Sequence, residues 1–175
     1  MLVRVLIVSA LALAIAGGTA QAQPRTPAFL DEAPAARVDT RHLQASIDGP
    51  VRLSDDGRAV VTLLVTPKPR MHVYAADVDG YVPFTVMAEP QPGVEAGKVT
   101  YPPSETYVFP PTGESSRVYM APFRVTQALR VSSELRKKIV AGEAAGGVLV
   151  IRYQACDDAV CYRPTPETIA FDFAK

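Results

Sequence analysis

Two cysteines are the residues of this chain whose type and spacing suggest chemistry: Cys156 and Cys161, with four residues between them. They lie in Val148-Leu149-Val150-Ile151-Arg152-Tyr153-Gln154-Ala155-Cys156-Asp157-Asp158-Ala159-Val160-Cys161-Tyr162-Arg163-Pro164. An apolar strand runs into the first cysteine, residues of turn character follow, and the second cysteine opens the next extended segment. If residues 157–160 form a hairpin loop, the two cysteines stand opposite each other, close to the separation a disulfide needs. Such a bond is either a brace or a redox centre. Closing so short a loop is worth only about 2 kcal/mol in the chain-entropy model, against ~4.7 for a loop of a hundred residues. A brace for a whole domain would better join distant strands, whereas a bond at a hairpin tip sits within reach of a partner's thiolate. Spacing alone leaves both readings open. Asp157 and Asp158 disfavour a nearby thiolate, while Arg152 and Arg163 favour one. We expect thiols that are not strongly activated.

Other chemistries fit less well. A zinc site needs about four ligands, and only His42 and His72 are available to join the thiols, so no metal is expected. Met71-His72 with the two thiols offers the soft donors that select Cu(I), a minor alternative. There is no Gly-rich phosphate loop, no nucleophile elbow and no carboxylate pair that stands out from turn chemistry, so no cofactor is expected. With 18 basic and 18 acidic residues the formal net charge is zero, which argues against a nucleic-acid surface.

Residues 1–22 read as a secretory signal. Arg4 supplies the basic start, Val5 to Ala16 is apolar apart from Ser9, and Ala20-Gln21-Ala22 is a cleavage pattern. The apolar run is shorter than the ~20 residues that span a bilayer, so no stable membrane insertion is expected. In an oxidising compartment two cysteines are expected to pair. Residues 23–41, rich in Pro and Ala, read as a flexible leader, and residues 42–175 as a single domain.

Within that domain the period is mostly two. Strands are expected over Ala59–Thr66, with Val61, Leu63 and Val65 on one face, over Val82–Ala88, weakly over Val94–Val99, and over Val118–Val125, which Pro122 weakens. Met71–Ala75 is a short extended piece, and Tyr101–Glu114 reads as a Pro-rich loop. Ser132–Ala141 is the plausible helix, with Ser133 as cap and Gly142 as stop. Val148–Cys156 and Glu167–Phe173 complete the pattern. About eight strands without βαβ alternation predict an all-β, immunoglobulin-like antiparallel β-sandwich.

The segment Tyr153 to Pro164 resembles the N-terminal periplasmic domain of the thiol:disulfide interchange protein DsbD. The resemblance rests on a Tyr-Gln-x-Cys-x-Asp-Ala-x-Cys-Tyr-x-Pro pattern, in which Tyr153, Gln154, Asp158 and Tyr162 accompany the cysteines, and extends weakly from residue 42 to the end. It implies an immunoglobulin-like domain whose cysteine pair relays electrons, with Cys161 forming the mixed disulfide and Cys156 resolving it. It also implies a cap loop over the pair. The matching stretch is Val108–Glu114, with Phe109 as the shielding ring and His72 and Tyr74 as aromatic neighbours. The chain departs from the family's best-known members in having one residue fewer between the cysteines and Arg163 at a usual proline position. The membrane domain and the thioredoxin-like domain of the larger proteins are not seen in this sequence. The expected partners are therefore a thioredoxin-like periplasmic protein, a membrane electron-transfer protein, or both, on separate chains. The competing reading is a non-catalytic secreted binding module with a structural disulfide.

Overall fold

The computed structural model describes residues 35–174; the segment read as a secretory signal lies outside the described residues. Alternation of apolar and polar residues builds two packed sheets. The first is ordered β1 (Arg37–Asp39), β2 (Leu43–Ile47), β4 (Arg58–Pro67), β10 (Phe123–Val131), β7 (Val94–Thr100). The second is ordered β3 (Val51–Arg52), β13 (Thr165–Ala174), β11 (Gly146–Tyr153), β6 (Thr85–Ala88). A third, smaller sheet runs β12 (Ala155–Cys156), β5 (His72–Tyr74), β9 (Glu114–Tyr119), β8 (Glu105–Phe109). Pairing is antiparallel except between β3 and β13, which run parallel. The molecule is an all-β, immunoglobulin-like antiparallel sandwich.

Every second residue of the long strands enters one core. Val61, Leu63 and Val65 of β4 and Val125 and Leu129 of β10 meet Leu149 and Ile151 of β11 and Ile169 and Phe171 of β13. Fully burying such side chains contributes about 1.5–3 kcal/mol each. Gln127 is buried among these strands. Gln127 donates its amide to the carbonyls of Gly97 (2.8 Å) and Ala128 (2.9 Å), where the β10–β7 register shifts. The bulge exposes two backbone acceptors, and the glutamine satisfies both.

Several boundaries differ from the sequence expectation. Residues 37–39, placed in the leader, form β1 and pair with β2. The supposed loop 101–114 contains β8, paired with β9 from Glu105↔Val118 to Phe109↔Glu114; Pro110-Pro111 are confined to its turn. The expected strand 118–125 is the end of β9 and the start of β10, divided at Met120–Pro122. Proline has no N–H to offer a ladder, so the chain changes sheets there. Helix α1 (Ser133–Ala141) is capped by Ser132, not Ser133: the Ser132 hydroxyl accepts from the Leu135 N–H. Gly142 stops it in the left-handed conformation, φ 94°. Among the described residues no helix is long and apolar enough to cross a membrane.

Candidate functional site

The expected single strand 148–156 divides at Gln154, and that division makes the site. Tyr153, the last residue of β11, is 1% exposed and its hydroxyl meets the Thr40 hydroxyl at 3.1 Å. It anchors the strand in the main core. Gln154 then carries the chain into the third sheet: its carbonyl accepts from the Tyr74 N–H (3.3 Å) and its side-chain oxygen from the Val82 N–H (3.2 Å). In β12, Ala155 pairs with Val73 and Cys156 with His72.

Cys156 and Cys161 form a disulfide across the expected hairpin, with Cα atoms 4.0 Å apart. Asp157 organises the loop between them. Its N–H donates to the Val160 carbonyl (3.0 Å), and its Oδ1 accepts from the Ala159 and Val160 N–H groups, both at 2.8 Å. Its Oδ2 accepts from the Tyr162 hydroxyl at 2.7 Å. That hydroxyl first, then the two backbone donors, hold the Asp157 carboxyl down at about 2. The Tyr162 ring rests 4.6 Å from the His42 ring.

The two sulfur-bearing residues are unequal. Cys156 is fully buried, packed with Tyr74 and Val118, whereas Cys161 is exposed. The Tyr74 hydroxyl lies 3.6 Å from the Cys161 Sγ. Burial pushes the Tyr74 hydroxyl far above the usual phenol range, so it stays protonated and able to donate. Tyr74 stacks on Tyr81, with ring centres 4.0 Å apart and planes at 12°. His72 is 3% exposed and its ring lies 4.3 Å from that of Tyr107. Burial lowers the His72 pKa, and the carboxylates of Asp158 and Asp157 only partly oppose this.

Asp158 joins three segments. One oxygen accepts from the Tyr107 hydroxyl at 3.1 Å; the other accepts from Arg70 Nε (3.2 Å) and Nη2 (3.1 Å). The expected residues Cys156, Cys161, His72, Tyr74, Gln154, Asp158 and Tyr162 thus converge, while Tyr153 stands one step back in the core. Phe109 is half-buried at the outer end of β8. The ring pairings beside the cystine run through His72, Tyr74, Tyr81 and Tyr107 and do not include Phe109. Tyr107 and Phe109 share one face of β8, and Tyr107 is the one packed against the Tyr74–Val118–Cys156 cluster. Tyr107, Tyr81 and Arg70 were not singled out in the sequence. The alternation of Tyr107 with Phe109 was the available signal, hidden by reading 101–114 as a loop.

Fold and site together define an all-β domain that carries a cystine at a hairpin tip, walled by aromatic rings. The family model for the N-terminal domain of the thiol:disulfide interchange protein DsbD matches residues 40–172, and the chain belongs to this family. Membership places it among proteins of thiol–disulfide interchange in general. Among solved structures it is similar to the N-terminal periplasmic domain of ScsB from Proteus mirabilis, at a TM-score of 0.57 and 16% identity. That alignment covers 79% of this chain and 50% of the other, so the chain spans about half the length of that structure. The DsbD N-terminal domain of Neisseria meningitidis, in its reduced form, aligns at a TM-score of 0.43 and 21% identity, over 71% of this chain and 82% of that one. A comparison with curated proteins found no match.

Proposed function

We propose that this domain is a periplasmic electron carrier in which Cys161 exchanges with a partner's thiol and Cys156 resolves the mixed disulfide. The observation that carries the reading is the inequality of the pair: Cys161 is exposed while Cys156 is fully buried. Exchange requires a thiolate to approach one sulfur along the line of the bond, with the other sulfur leaving. Attack at Cys161 breaks the S–S bond, forms a partner–Cys161 disulfide and leaves the electron pair on the Cys156 thiolate, which then takes up a proton. A second thiolate of the partner attacks its own bonded sulfur and releases Cys161 as a thiolate, which faces the Tyr74 hydroxyl and then takes up a proton in its turn. Two electrons and two protons have then entered the domain, and the reverse sequence returns them. Family membership supports this chemistry, and the expected signal segment supports its periplasmic setting.

A thioredoxin-like protein, or a membrane electron-transfer protein on another chain, is the partner we propose. Tyr107, His72 and Tyr74 form the shield around the pair, with Phe109 further out on the same hairpin. Trapping tests the reading. Cys156→Ala should accumulate a disulfide with a thioredoxin-like protein through Cys161, and Cys161→Ala should not. If the oxidised domain stays closed in the presence of an excess of reduced thioredoxin-like protein, the bond is an inert brace.

A further inference from the structure

Three observations meet at Asp158. Its two oxygens are divided between separate parts of the molecule, one for the Tyr107 hydroxyl and one for the Arg70 guanidinium. Tyr107 belongs to β8, Asp158 to the cystine loop, and Arg70 to the turn between β4 and β5. That turn is closed by the Met71 N–H on the Lys68 carbonyl (2.9 Å). Arg70 is also the non-glycine residue with positive φ, at 66°, among the described residues. An L side chain adopts this conformation at a cost and keeps it only where surrounding contacts hold it. Here the twist precedes the strand that flanks the cystine, and the side chain it projects meets Asp158.

We infer that Asp158 is a positioning residue that fastens the β8–β9 hairpin to the cystine loop. Arg70 orients the carboxylate, and the Tyr107 hydroxyl must release it before the hairpin can swing aside and give a partner at the exposed Cys161 its full approach to the bond. This rests on the exchange reading above, since a latch matters only where the bond is opened. The ion pair is exposed, with 79% of the Arg70 side chain and 48% of that of Asp158 open to solvent. Such a pair is modest in strength and sensitive to salt. That suits a fastening that a docking partner has to undo.

The test is the rate at which dithiothreitol reduces the oxidised protein, with folding of each variant checked by circular dichroism. Asp158→Ala and Tyr107→Phe should each speed reduction by roughly two- to fivefold, the effect of losing one exposed hydrogen-bonded contact. The phenylalanine keeps the ring and removes only the hydroxyl. The double variant should be no faster than the faster single one, because both changes undo the same contact. Molar potassium chloride should narrow the gap between the parent and Asp158→Ala, and Asp158→Glu should restore slow reduction. A parental rate in either single variant, or additive effects in the double variant, overturns the latch. If the variants behave as expected toward dithiothreitol while none reacts with thioredoxin-like proteins, the latch stands and the exchange reading falls.

Discussion

Tyr74 is the side chain closest in kind to a reagent for the sulfurs. Its hydroxyl faces the Cys161 Sγ from a buried ring that cannot readily ionise. A donor of that kind favours the thiolate over the thiol. Tyr74→Phe is expected to raise the pKa of the Cys161 thiol in the reduced protein by roughly half to one unit. The rate of iodoacetamide labelling against pH measures the shift, and an unmoved profile removes Tyr74 from the chemistry. The histidines make a second prediction at this scale. Burial lowers the pKa of both His42 and His72 below the ordinary 6.5. The unfolded chain therefore binds protons that the folded one refuses. Stability is fully present above pH 6.5 and is lost as the pH falls from there toward the folded pKa values. Urea midpoints between pH 7.5 and pH 5 should fall in the parent and flatten in a His42→Gln, His72→Gln double variant.

At the scale of elements, two short features have definite consequences. The Ser132 hydroxyl caps α1, and Ser132→Ala should cost about 1 kcal/mol, while Ser133→Ala, at the position first expected to cap, should cost much less. Gly146 opens β11 where any Cβ would run into the Phe171 carbonyl oxygen of β13. Gly146→Ala should cost about 1–3 kcal/mol by overpacking, as read from the denaturation midpoint. What could be read in the sequence follows the same physics. Alternating stretches such as Val61-Leu63-Val65 and Ile169-Phe171-Phe173 were legible because these residues line one buried face. The four-residue loop between the cysteines was legible for its turn residues. The β8–β9 hairpin was not: prolines at 102, 103, 110 and 111 flank a strand whose pairing partner comes only after the turn. Arg70 escaped notice because a positive φ at arginine has no sequence signature. The change of sheet at Gln154 was invisible for a similar reason, since β11 and β12 read as one apolar run and only the contacts with Tyr74 and Val82 separate them.

The whole molecule keeps its redox candidates away from its main core. The large apolar cluster joins the two principal sheets, whereas Cys156 packs in a separate small cluster with Tyr74 and Val118. Reduction should therefore leave the far-ultraviolet circular dichroism nearly unchanged and lower the unfolding free energy by only about 2 kcal/mol, the amount a ring this short contributes. Matched urea titrations of the oxidised and reduced forms measure it, and loss of cooperative unfolding on reduction would contradict the separation of the two clusters.

The shortness of that ring has an electrochemical side. Folding and reduction form a closed thermodynamic cycle, so whatever the bond adds to folding is added by folding to the bond. At roughly 30 mV for each 1.4 kcal/mol, a contribution of about 2 kcal/mol moves the potential of the pair only some 40 mV below that of the same two thiols in the unstructured chain. A cystine spanning the sandwich from end to end would be driven about twice as far. Five steps of sequence between the sulfurs thus keep the pair near the potential of a flexible dithiol, leaving its neighbours Tyr74 and Asp158 as the groups positioned to tune it.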